Sequence, residues 1–187
     1  MNKLVVLLLL GLTVQAYALE VEGVRLEDKV QVERSALQLN GAGVRSVFWI
    51  KIYVAALYLE SRKNTSEAVL ADKGAKRIAL HVVADEAGSD RFVNGFRKGI
   101  EKNHDEAGLA RLKPRMEAFE KLFAGVKSVV KGDIIAFDWL PGQATRITLN
   151  GKDLGRIEGE DFYLALLSIW IGEHPVMDGL KEEMLGG

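Results

Sequence analysis

Arg45, Lys51 and Tyr53 stand out because they interrupt an apolar stretch, Leu39 to Glu60, LNGAGVRSVFWIKIYVAALYLE. A guanidinium can grip a carboxylate or other oxyanion through two parallel hydrogen bonds. A phenol adds one neutral donor and acceptor. Polar groups on an apolar surface are costly unless paired, so a ligand is sought beside them first. The competing reading of Arg45 is structural: a solvated strand-end arginine, or an ion pair with Glu60 or Asp138. Lys51 has a stem long enough to carry its charge out to water.

Other chemistries find little support. The chain has no cysteine, which excludes thiol catalysis and thiolate metal sites. His81, His104 and His174 are far apart and lack the helical spacing of metal ligands. His81 sits in an apolar run and reads as a core histidine, with haem ligation as the alternative. Gly41-Ala42-Gly43 resembles part of a dinucleotide loop, but Ser46 occupies the third glycine position and no helix follows. There is no phosphate loop and no nucleophile-elbow serine. Glu173-His174 reads as a structural helix end, and Trp170 as core or pocket wall.

The elements that must hold these residues follow from periodicity. Gly41-Ala42-Gly43 reads as a turn, and Arg45–Glu60 as one long central strand, apolar on both faces and therefore covered on both. On that reading Arg45, Trp49 and Tyr53 share a face, with Trp49 as an apolar wall between the other two. Val21–Leu26 and Val30–Leu39 read as two strands before it, and Ala75–Val83 and Gly132–Trp139 as two after it. Asn150-Gly151 marks a hairpin between Ala144–Leu149 and Lys152–Ile157.

Asn64-Thr65-Ser66-Glu67 starts a short helix. Phe92, Val93, Phe96 and Ile100 recur at helical spacing after Ser89, a plausible N-cap. A second helix spans Leu109–Phe123, starting or kinking at Pro114. Asp161–Trp170 is apolar nearly all round, so it reads as a buried helix, and Asp178–Leu185 closes the chain.

At the N-terminus Lys3, the apolar run Leu4–Val14 and Ala16-Tyr17-Ala18 form an export signal with cleavage after Ala18. The run is short against a membrane span of about 20 residues, and the alternative to cleavage is an uncleaved anchor. The expected organisation is a signal peptide at 1–18 and one domain at 19–187, periplasmic or secreted, with no stable span after cleavage. Lys plus Arg is 25 and Asp plus Glu is 26, and no basic block stands out, so nucleic acid is not an expected partner.

Three motifs, GAGVR at 41–45, AALYLE at 55–60 and WIGEHPVMDGLKEEM at 170–184, together resemble the chalcone isomerase superfamily. In its plant enzymes a GGAGxR turn precedes a strand ending in YLE, and an IGEH segment lies near the C-terminus. The resemblance implies an α+β fold: an open-faced β-sandwich, mainly antiparallel, with helices packed on one face. It also implies a site. The family's arginine binds the ionised substrate oxygen, and Arg45 matches it. Tyr53 stands where the family has a strand threonine, and Ile169 where it has a cleft threonine. The family's catalytic tyrosine has no match within 85–96.

A lone arginine stabilises an oxyanion but supplies no proton relay for cyclising a chalcone. In the fatty-acid-binding branch the same arginine, with a tyrosine, anchors a carboxylate. The expected ligand-binding residues are therefore Arg45, Tyr53, Trp49 and Ile169, with Arg45 as the catalytic candidate only if the protein is an enzyme. The expected function is binding of a small amphipathic, fatty-acid-like acid, with no metal and no cofactor. The alternatives are an isomerase or intramolecular lyase acting on a flavonoid-like or other enolisable substrate, a haem-binding protein, and an interaction module without a ligand.

Overall fold

The computed structural model describes residues 19–187, so the export signal read at 1–18 lies outside the described residues. A seven-stranded antiparallel sheet is the frame of these residues. In chain order its strands are β3 (Lys29–Val32), β4 (Ser35–Val47), β5 (Ile50–Leu59), β6 (Lys76–Val82), β9 (Ile134–Leu140), β10 (Ala144–Leu149) and β11 (Lys152–Glu158). Across the sheet the order is β11-β10-β9-β6-β5-β4-β3. Two small two-stranded sheets accompany it: the hairpin of β1 (Leu19–Val21) with β2 (Val24–Leu26), and β7 (Glu86–Gly88) paired with β8 (Ser128–Val130).

The helices are α1 (Ser66–Ala71), α2 (Ser89–Glu101), α3 (Glu106–Phe123), α4 (Glu160–Ile171) and α5 (Asp178–Met184). The larger core lies between the sheet and these helices. Ala55, Leu57 and Leu59 of β5 meet Phe96, Phe119, Leu166 and Leu180 there. The opposite parity of β5, Val54, Ala56 and Tyr58, packs in a smaller core with Leu26, Val32 and Leu37. The expectation of an open-faced α+β fold, with helices on one face and β5 covered on both, therefore holds.

The central run is not one strand. Its chain reverses at Phe48-Trp49, so Arg45–Glu60 divides between β4 and β5, paired antiparallel. Val21–Leu26 and Val30–Leu39 likewise break at Glu22-Gly23 and at Glu33-Arg34. All three reversals place a bulky residue at positive φ: Glu22 at 52°, Glu33 at 49° and Phe48 at 54°. Such residues seldom mark a turn, whereas Asn150-Gly151, at 52° and 77°, does.

Gly41-Ala42-Gly43 is strand rather than turn. A Cβ on Gly41 would strike the Glu183 backbone, and one on Gly43 its side chain. These glycines let α5 lie directly on β4. Helix α3 starts before Pro114 and runs through it, because Asp105 caps it by accepting from the Gly108 N–H at 2.8 Å.

Candidate functional site

The β4–β5 hairpin turns the eight-residue separation of Arg45 and Tyr53 into direct cross-strand pairing. The register slips just beyond, where Ser46 pairs with Lys51, so Ile52 is the extra residue of a β-bulge. Bulges re-aim side chains, and this one sits where the strands meet α2 and α4. Val82 of β6 is the other neighbour of Tyr53, which places the phenol on the helix-covered face.

Over that face lies a cleft of about 490 Å³. Arg45, Ile52 and Tyr53 form its floor, Phe92, Gly95 and Phe96 of α2 one wall, and Ile169, Trp170 and Val176 another. Its size falls within the range of about 300–1,000 Å³ common for small-molecule sites. The aromatic packing is firm: Phe92 and Phe96 have ring centroids 4.6 Å apart, and Phe96 meets Trp170 edge-on at 5.5 Å. Gly95 has nothing within 4 Å of where a Cβ would be, so its missing side chain helps keep the cleft open.

The polar end is small. Trp170 donates from Nε1 to the Tyr53 hydroxyl oxygen at 3.1 Å. Among the described residues the Tyr53 proton has no protein acceptor. Burial pushes the Tyr53 phenol up to about 12, against the opposing effects of the Trp170 hydrogen bond and the Arg45 charge. It therefore stays a neutral donor near neutral pH. Arg45 donates from Nη1 to its neighbour's Ser46 carbonyl and, among the described residues, pairs with no carboxylate. The structural alternative for Arg45 named Glu60 and Asp138. Glu60 instead accepts from Ser35 at 2.8 Å, and Asp138 is held by Arg77 and Arg146 at 2.5 and 2.7 Å. Arg91 and Glu86 stand exposed at the rim of the cleft.

Of the four residues proposed from sequence, Arg45, Tyr53 and Ile169 line this cleft, and Trp49 does not. Trp49 sits at the hairpin tip, 86% exposed, because the reversal beside it carries it out of the cleft-facing register. Sequence reasoning did not place Arg91, Ile52 or Val176 at a site. It read Phe92 and Phe96 as a helix stripe, which is correct for α2 but does not separate core from cleft wall.

Lys51 pairs with Glu22 at 2.5 Å. His81 lies on the sheet face opposite the cleft, paired with Val54, and burial lowers its affinity for a proton. Asn103 ties the backbone N–H and carbonyl of His174 to α2, the structural part expected of the Glu173-His174 segment. Among the described residues no three His, Asp or Glu side chains gather as a metal site.

The sequence matches none of the curated proteins. Among solved structures, a fatty-acid binding protein of Arabidopsis thaliana superposes with a TM-score of 0.69 at 16% identity, covering 87% of this chain and 92% of that one. At that identity the likeness shows the fold. The sequence itself matches the model of the chalcone isomerase-like family over residues 18–186, and the chain belongs to that family.

Proposed function

We propose that the protein binds a small amphipathic acid, with the head group at Arg45 and Tyr53 and the hydrocarbon part among Phe92, Phe96, Ile169 and Trp170. The observation that carries this reading is an arginine that pairs with no carboxylate among the described residues, beside a phenol whose proton has no acceptor among them, at the end of an apolar cleft. The superposition on a fatty-acid binding protein supports a fatty-acid-like ligand. A charge-assisted hydrogen bond contributes about 1.5–3 kcal/mol net. Ten buried methylenes contribute roughly 8 kcal/mol. The apolar cleft thus supplies most of the affinity, and Arg45 sets which end of the ligand enters.

We further propose that the protein is exported, a reading supported by Lys3, the apolar run Leu4–Val14 and Ala16-Tyr17-Ala18. Native mass spectrometry of protein purified from its own host tests the ligand. A co-purifying long-chain acid released on denaturation is expected, and a ligand-free mass together with no uptake of added fatty acid would overturn the reading. The same spectrum reads the N-terminus: a chain starting at Leu19 supports export, and one retaining Met1 contradicts cleavage.

A further inference from the structure

The β4–β5 tip carries the largest exposed apolar groups among the described residues. Phe48 and Trp49 are 88% and 86% exposed, their ring centroids are 5.9 Å apart, and Val47 and Ile50 flank them with substantial exposure. Phe48 also holds a φ of 54°, at the first position of a two-residue hairpin loop. Glycine takes positive φ without steric cost and commonly holds that position when its φ is positive. For a bulky residue such backbone is strained, which directs attention to function. Neither ring contributes to the core, so the fold gives no reason for either.

The tip is continuous with the cleft. Val47, Phe48 and Ile50 form the outer lip of the same space that Phe96 and Trp170 close at depth. Cations stand along this lip: Arg45 and Arg91 at the cleft and Lys51 on β5, with Glu86 on the cleft rim and Glu22 paired to Lys51 as the facing carboxylates. The tip is too small for a stable protein partner. An aromatic side chain buries about 150–250 Å². Two of them with parts of Val47 and Ile50 fall short of the roughly 800 Å² per partner of a standard interface. A narrow apolar tip with a Trp and nearby cations suits the headgroup level of a bilayer, where such groups anchor without a matching surface.

We propose that the Val47–Ile50 tip docks on a lipid bilayer and brings the cleft mouth to the membrane. Docking stands on the tip alone. Direct passage of an acyl chain between bilayer and cleft rests on the function proposed above.

The test uses the purified processed chain, residues 19–187, with phosphatidylcholine–phosphatidylglycerol vesicles. Trp139 and Trp170 are 4% and 0% exposed, so quenching by lipids brominated along the acyl chain reads Trp49. Quenched fluorescence is expected on vesicle addition. Trp49→Ser should lower the partition coefficient measured by cosedimentation roughly tenfold, since apolar contact at the tip sets the binding strength. Both proteins begin at Leu19, so the apolar run Leu4–Val14 contributes to neither. Phe48→Gly should weaken cosedimentation similarly while its melting midpoint holds or rises.

Unquenched fluorescence with wild-type cosedimentation in Trp49→Ser would overturn the proposal. So would a dimer in sedimentation velocity that Trp49→Ser dissolves, since the tip would then be a self-association surface. Calorimetry with a soluble medium-chain fatty acid separates the two readings. Trp49→Ser should bind it as the wild type does, and loss of binding by the wild type itself would count against the cleft rather than the tip.

Discussion

Tyr53 has two duties that pull in different directions. Its hydroxyl oxygen accepts from the buried Trp170 Nε1, and its ring lines the cleft, with no acceptor for its proton among the described residues. Tyr53→Phe therefore leaves a buried indole N–H unpaired, a loss of about 1–3 kcal/mol in stability, and also removes a neutral donor from the ligand. We expect a lower melting midpoint together with weaker fatty-acid binding. A variant that binds less but melts like the wild type would show that the Trp170 bond does not hold in solution. The pH dependence has a definite sign. A phenol raised from 10 to about 12 contributes stability that is complete below pH 10 and is lost as pH climbs towards 12. The melting midpoint of Tyr53→Phe should consequently fall less steeply across that window.

Arg45 was legible in the sequence because a guanidinium after Gly-Ala-Gly in an apolar run is conspicuous. Trp49 was misplaced because parity along one strand was carried through a reversal that no Gly or Asn at Phe48-Trp49 announces.

At the scale of elements, strands and helices with clean periodicity were readable, and their junctions were not. The Asn150-Gly151 hairpin and the apolar helix α4 follow directly from residue types. The β1–β2, β3–β4 and β4–β5 reversals do not, since Glu22, Glu33 and Phe48 take positive φ at positions where glycine or asparagine is the usual signal. The glycines of Gly41-Ala42-Gly43 were misread for a related reason: glycine signals turns, but here it admits the backbone of α5. The cleft is a product of packing between elements, and no single segment encodes it.

Gly95 shows how this can be tested. It sits inside α2, where glycine is about 1 kcal/mol less favourable than alanine. A Cβ there meets nothing within 4 Å, and the residue lines the cleft. Gly95→Leu should hold or raise the melting midpoint while blocking uptake of a long-chain acid. Undiminished binding in a stably folded Gly95→Leu protein would place the ligand elsewhere.

For the whole molecule, the fold gives a rigid sheet floor with a helical roof that leaves one end open. Asp138 and the arginines that hold it lie on the sheet away from the cleft, so charge pairing stabilises the frame while the Arg45 guanidinium has no carboxylate partner among the described residues. Family membership fixes the architecture, and the side chains at the cleft differentiate the chemistry. A tyrosine at 53 and an isoleucine at 169 suit holding an acid by one end more than cyclising a polyphenol.

The most direct test is calorimetric titration of a long-chain fatty acid into the wild type and Arg45→Ala, with thermal melts of both. Loss of one charge-assisted contact should weaken binding roughly ten- to hundredfold. The melting midpoint should stay near that of the wild type, because no protein carboxylate is left unpaired. Normal binding in Arg45→Ala, together with a melt many degrees lower, would make Arg45 a structural residue and contradict the assignment of this cleft.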